Sequence, residues 1–257
     1  MAYAKKRAAP KKRITKKRTT KSPTKLVKLI KKVAAAQVHK QIEDKQQSLD
    51  SGLATFNNAA TAIGDQLRVF PFINLGVNSA DRTGDTITVR RLSILGHIVV
   101  NPAFVSADTA RQRIMVRMVV LQPKLYGTYT AAATSATWMG QVLRNGNATL
   151  GLDGSIQSMY FPWNYEAFHI FASKRMILRS DAFTGSAVLA SNYATAMFSM
   201  AIKCKNKRVK FNDTSSEPIG YCPMLLFSYC FLDGSAASFA STAVSMAYNV
   251  LTKYEDA

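Results

Sequence analysis

Three Lys-Lys-Arg triplets, Lys5-Lys6-Arg7, Lys11-Lys12-Arg13 and Lys16-Lys17-Arg18, carry the densest chemistry in this sequence. Lys21, Lys25, Lys28, Lys31 and Lys32 extend it. Residues 1–40 hold fifteen Lys or Arg and no Asp or Glu, so +15 of the net +19 lies in this short stretch. A block of like charge repels itself, stays extended and marks a tail that binds a polyanion. Each cation that neutralises a phosphate releases condensed counterions, which drives sequence-independent, salt-sensitive binding. Tyr3 is the only aromatic residue before Phe56, so the arm is expected to grip a nucleic-acid backbone rather than stack on bases. Solubility alone asks for far fewer unpaired cations. The triplets also fit the loose pattern of a nuclear localisation signal, which adds a nuclear import receptor as a partner.

No comparable constellation points to catalysis. His39, His97 and His169 show no HExxH or HxH spacing and no pairing with cysteines, so satisfied core or surface histidines are expected rather than metal ligands. Neither GxxxxGK[ST] nor GxSxG occurs, which leaves out phosphate-cradling NTPase and serine-hydrolase chemistry. Cys204, Cys222 and Cys230 are odd in number and lack CxxC spacing. Neither a disulfide framework nor a zinc site is expected, and a reducing compartment is. Asp81, Asp85 and Asp108 offer oxygen ligands for a cation between subunits, yet Asp is equally ordinary in turns. The chain is read as a non-enzyme with no metal and no cofactor.

The charge shift sets the organisation: a basic arm over 1–45 and one folded domain over 46–257. Within the arm, low complexity and Pro10 argue against packing, whereas Ser22-Pro23 can cap and open a helix. Leu26, Leu29, Ile30 and Val33 recur at helical spacing among Lys25, Lys28, Lys31 and Lys32. This short basic amphipathic helix suits a membrane surface or, preferred here, a helix that forms on nucleic acid. No uninterrupted apolar h-region opens the chain. The longest uncharged stretch, 234–252, alternates at Val244, Met246, Tyr248 and Val250, so a strand rather than a membrane span is expected and the protein is read as soluble.

The body reads as β-structure. Ile87 and Val89 alternate with Thr86, Thr88 and Arg90, and the alternation resumes one residue out of phase at Leu92, Ile94, Ile98 and Val100. Period two predicts a half-buried strand, and the phase slip predicts a β-bulge. Further strands are expected at 53–56, 111–121, from 168 to a basic turn at Lys174-Arg175, at 196–204, at 209–211 and at 242–251. The continuous apolar run 224–232 suits a strand buried on both faces. Arg113 and Arg117 share the polar face of the 111–121 strand. With Arg90 and Arg91 they either extend a nucleic-acid surface or make solvent-facing or intersubunit ion pairs. One helix is expected in the body, at 133–143, closed by Asn145-Gly146 inside a 122–165 insertion. Trp138 and Trp163 suit packing, with Trp163 in a loop fit for a subunit contact. About eight antiparallel strands with irregular connections predict an all-β two-sheet sandwich or barrel, not βαβ units.

Several stretches resemble a known family. Gly76, then Arg82-Thr-Gly84-Asp-Thr-Ile87 and Leu92-Ser-Ile94-Leu-Gly96-His-Ile98, resemble the second-strand signature of single jelly-roll coat proteins of small circular single-stranded DNA viruses and satellite-type RNA viruses. Arg113-Ile-Met-Val-Arg-Met-Val-Val120, Phe168-His-Ile-Phe-Ala-Ser-Lys174 and Lys205-Asn-Lys-Arg-Val-Lys-Phe211 resemble later landmarks of that family. Leu121-Gln122-Pro123 and the 122–165 insertion depart from it. The resemblance implies an eight-stranded antiparallel jelly-roll sandwich behind a disordered basic N-terminal arm. It also implies a capsid protein in a T=1 icosahedral shell of on the order of sixty copies, packaging single-stranded DNA, found in the virion and, during assembly, in the host nucleus. Sixty arms would neutralise roughly 900 phosphates. The rival readings are an RNA coat protein and a cellular basic nucleic-acid-binding protein.

Overall fold

The structure is a computed structural model that describes residues 27–33, 44–100, 113–179, 194–232 and 244–256. Residues 43–257 form one compact unit, and helix α1 (27–33) belongs to a separate one. The folded body is all-β and antiparallel, built from two main sheets.

The larger sheet is organised by β3 (Thr86–Val100). Ile87, Val89, Leu92, Ile94, Ile98 and Val100 are all buried, and the phase slip is a real register shift. β12 (Val244–Asp256) pairs Lys253 with Arg91 and Tyr254 with Val89, so Arg90 is the additional residue. On its far side β12 pairs with β1 (Asp44–Phe56). On the other side of β3 lie β8 (Ala194–Ile202) and β9 (Lys207–Phe211), which run along it one after the other. β10 (Pro218–Ile219) extends the edge beyond β9. Gly96 fits the one gap in the apolar series of β3: a Cβ there would lie 2.6 Å from the ring of Phe198, the residue opposite it on β8.

The smaller sheet has the order β2 (Leu67–Arg68), β11 (Met224–Phe231), β4 (Arg113–Pro123) and β7 (Phe168–Arg179). Its inner residues, among them Val116, Met118, Val120, Phe227 and Tyr229, pack against the inner face of the larger sheet in one continuous core. β11 is buried along its whole length, as its apolar run predicts. β4 departs from expectation. Its second face is covered too, so the alternation of 113–121 does not separate core from solvent.

The cover is the insertion. It contains α2 (Tyr129–Ala133), a 3-10 helix at Thr137–Gln141 and a hairpin of β5 (Leu143–Asn145) and β6 (Ala148–Leu150). Trp138, Met139, Val142, Leu143 and Leu152 from this segment form a second core with Val119, Leu121, Met224 and Leu226 of the sheet. The expected helix over 133–143 is thus replaced by two short pieces. Thr134, Ser135, Thr137 and Gly140 are weak helix formers, and Trp138 turns inward to donate from Nε1 to the Ala132 carbonyl at 3.1 Å. Asn145-Gly146 does not close a helix either. Gly146, at φ 59, is the first central residue of the β5–β6 turn, a position that asks for glycine.

Two further expectations are corrected. Lys174 and Arg175 are not a turn: they pair with Met118 and Arg117 inside β7, whose outer edge lets charged residues stay in a strand. Arg117 is neither solvent-facing nor available to a nucleic acid, because its side chain is fully buried. It donates from Nη1 to the carbonyl of Ser158 and from Nη2 to that of Phe161 at 2.7 Å, and lies 3.7 Å from the ring centroid of Trp163. Burial, with Arg175 opposite, lowers its pKa to about 10, so it remains charged at neutral pH. Trp163 is therefore the lid of an internal clamp. Arg117→Lys keeps the charge but loses the two-pronged donor and the stacked plane. It is expected to cost about 2–4 kcal/mol, read as a lower urea midpoint with an unchanged slope.

Candidate nucleic-acid interface

Of the cations singled out by sequence, Lys5, Lys6, Arg7, Lys11, Lys12, Arg13, Lys16, Lys17, Arg18, Lys21 and Lys25 lie outside the described residues, as do Ser22, Pro23 and Leu26. Lys28, Lys31 and Lys32 lie on α1 and are exposed. Val27, Leu29, Ile30 and Val33 of the same helix are exposed as well. Asp108 also lies outside the described residues.

The start of the body is tied down more firmly than its composition suggests. β1 opens at Asp44, opposite Glu255, so Lys45 belongs to the sheet and not to the arm. Its buried ammonium donates to the carbonyl of Asp81 at 2.7 Å and to Asp256 Oδ2 at 3.1 Å. Asp256 Oδ2 also accepts from the Thr83 amide at 2.6 Å and its hydroxyl at 2.7 Å. Burial alone would raise the Asp256 pKa. The Thr83 and Lys45 donors outweigh it and hold the carboxyl below its ordinary value.

The remaining predicted charges have separate fates. Arg90, the bulge residue, pairs with Glu255 inside one chain, whereas Arg91 and Arg113 are exposed. Asp85 pairs with Arg82 at 3.3 Å, and Asp81 Oδ2 accepts from Asn78 Nδ2 at 2.7 Å, the ordinary turn role. Among the described residues no group of three or more His, Cys, Asp or Glu is placed to hold a metal ion. No helix among them is long and apolar enough to cross a membrane. Cys204, Cys222 and Cys230 are buried free thiols; burial pushes the Cys204 thiol up and Cys222 up to about 12, so both stay protonated.

Sequence reasoning missed a basic cleft. β8 ends with Ile202 opposite Leu92, and β9 begins with Lys207 opposite Val89. Lys203 to Asn206 therefore stand against only Arg90 and Arg91 and bulge outward. Lys205 and Asn206 adopt φ 46 and 55, a left-handed conformation uncommon for a lysine. This loop and the start of β7 enclose a cleft of about 750 Å³. Lys124, Lys203, Lys205, Lys207 and Arg208 line it, and no Asp or Glu does. Tyr165, Phe168, Phe171 and Tyr221 supply its aromatic walls, with the Phe171 and Tyr221 rings edge-on at 5.9 Å. Lys203 to Lys210 is a visible run of cations, but its facing aromatics come from β7 and from loop positions 165 and 221, so no local pattern joins them.

No protein-family model matches the chain, and no curated protein matches it.

The Asp256 clasp predicts a pH effect. A carboxylate with a depressed folded pKa stabilises the fold above its unfolded value of about 3.9, and that stability is lost as pH falls through the folded value. Asp256→Asn should therefore be less stable than the parent at neutral pH, with the gap closing below pH about 4. Denaturant titrations at a series of pH values measure it.

Proposed function

We propose that this chain is a structural capsid protein whose body is a jelly roll, which assembles with its own copies into a closed icosahedral shell and packages single-stranded DNA through the basic arm. The observation that carries the reading is the order of pairing. Taking the collinear β8 and β9 as one segment, eight segments can be counted: β1, β2, β3, β4, β7, β8–β9, β11 and β12. The first pairs with the last, the second with the seventh, the third with the sixth and the fourth with the fifth. The last also pairs with the third and the seventh with the fourth, giving two four-segment sheets. This order supports a long antiparallel hairpin rolled up as a jelly roll, an architecture used by viral shells as well as by lectins and cupins.

Cupin-type enzymes and lectins share the wrapping, so the choice among them rests on the site. A polyanion-binding block of fifteen cations ahead of the first strand supports packaging over sugar binding or metal-dependent catalysis. Self-association is supported by apolar side chains on the outward face of the larger sheet. Leu53, Leu95 and Met197 are exposed there, Met197 at 87 %. The Lys-Lys-Arg triplets favour a nuclear stage and hence a DNA cargo, with a nuclear import receptor as a transient partner.

Two measurements test the reading. Electron microscopy of the full chain with single-stranded DNA should show closed shells, and the nucleic acid extracted from virions should be degraded by DNase; monomers or amorphous aggregate under all salt conditions would overturn it. An RNA cargo transfers the reading to an RNA coat protein, and a persistent monomer to a cellular nucleic-acid-binding protein. Separately, the affinity of the full chain for single strands should fall with salt at a log–log slope of roughly −10 if all fifteen cations engage. Deleting residues 1–40 should remove most of that slope and leave the β-sheet circular dichroism unchanged.

A further inference from the structure

We propose that the cleft between the Lys203–Arg208 loop and the start of β7 is a second nucleic-acid site. In it, the backbone phosphates of a single strand lie on the loop cations and one base enters against Phe171 and Tyr165. The inference deepens the packaging proposal and rests on it only for the identity of the polymer.

Four observations converge on it. Among the described residues none of Lys203, Lys205, Lys207 and Arg208 makes an ion pair, and none of the cleft's lining residues is acidic. Glu166, next in sequence to Tyr165, is held by Arg144. Four like charges within six residues therefore face one opening with nothing to neutralise them. An anion placed there relieves the repulsion.

The second observation is the backbone. A left-handed Lys205 followed by a left-handed Asn206 is a conformation glycine takes most readily, and neither residue is glycine. The geometry is imposed by four residues standing against two on β3. Bulges of this kind re-aim side chains beside binding sites, and such conformations cluster at ligand clamps. Here the bulge swings Lys205 away from the flat sheet and towards the cleft.

The third is the aromatic wall. Phe168 and Tyr221 are buried and belong to the packed interior, but Phe171 is half-buried and Tyr165 is 64 % exposed. Phosphate-binding cations next to open rings are the combination by which proteins hold single strands without reading sequence. The arm has nothing equivalent, with Tyr3 its only ring. The fourth is size: about 750 Å³ admits a nucleotide with its flanking phosphates, within the usual range for ligand clefts.

The test uses the full chain and an oligothymidylate about five nucleotides long carrying one photoreactive 5-iododeoxyuridine. After irradiation, cross-linked peptides should include Tyr165 or Phe171. The double variant Lys205→Ala/Lys207→Ala should lower the yield at those peptides roughly ten-fold, and Tyr165→Ala should lower it comparably. Cross-links to arm peptides serve as an internal control and stay unchanged in all three proteins, as does the circular dichroism. These exposed substitutions leave the core untouched, so a fall in yield is not a folding effect. Cross-links confined to residues 1–42 would overturn the proposal, as would a yield at 165–171 indifferent to the lysines. Displacement of the oligonucleotide by a sulfated hexasaccharide at a lower concentration than unlabelled oligothymidylate requires would also overturn it, in favour of a glycan site. Failure to form shells is read by microscopy and bears on the capsid proposal alone, since a chain that never assembles still cross-links here.

Discussion

The body depends on one demand: β4 and β11 are apolar on both faces, so the smaller sheet must be covered twice. The larger sheet covers one face and the insertion covers the other. Arg117 stands on the outer face of β4 between those apolar neighbours and fastens the far end of the insertion, at Ser158 and Phe161, to the sheet. It has no carboxylate partner there; carbonyl oxygens and the face of Trp163 receive the charge. An ion buried this way is destabilising in itself, as its lowered pKa records; its two Nη groups find carbonyl acceptors, whereas its buried Nε has no hydrogen-bond partner. What it fixes is where the insertion lies.

A second arrangement follows from the bulge in β3. Arg90 interrupts the pairing with β12, and at the same level the opposite neighbour breaks into β8 and β9. One irregularity in a central strand thus reaches both of its partners. On the β12 side it is absorbed by the Arg90–Glu255 ion pair. On the β8–β9 side it expels the loop that forms one bank of the basic cleft. The strand that organises the core also sets the position of the charged loop.

Much of this was legible in the residues. The phase slip between Val89 and Leu92 gave the bulge, and the run from Met224 the doubly buried strand. In each case the signal is local: a period or a run. The misreadings share the opposite character. Alternation in 113–121 looked like a core face and a wet face, because only the distant insertion reveals that Arg117 is covered. Lys174-Arg175 looked like a turn because their place on an outer strand is a property of the sheet. The 1–45 boundary placed Lys45 with the arm because its partners, Asp81 and Asp256, are far along the chain. The two-residue β2 is too short to show any period. The cleft was invisible for the same reason, its cations and its rings coming from segments far apart in the chain.

The clasp at Lys45 bears on how the body takes a load. A pull on the chain ahead of Asp44 would load the first strand of the sheet, and an edge strand held only by its ladder peels open one rung at a time. Here the start of the strand is bolted: Lys45 is tied to Asp81 and Asp256, and Asp256 to Thr83, so the tug is passed to the 81–83 turn and to the end of β12 before any backbone pair beyond it is strained. The tether is anchored as a mooring line is, at a cleat rather than along the plank.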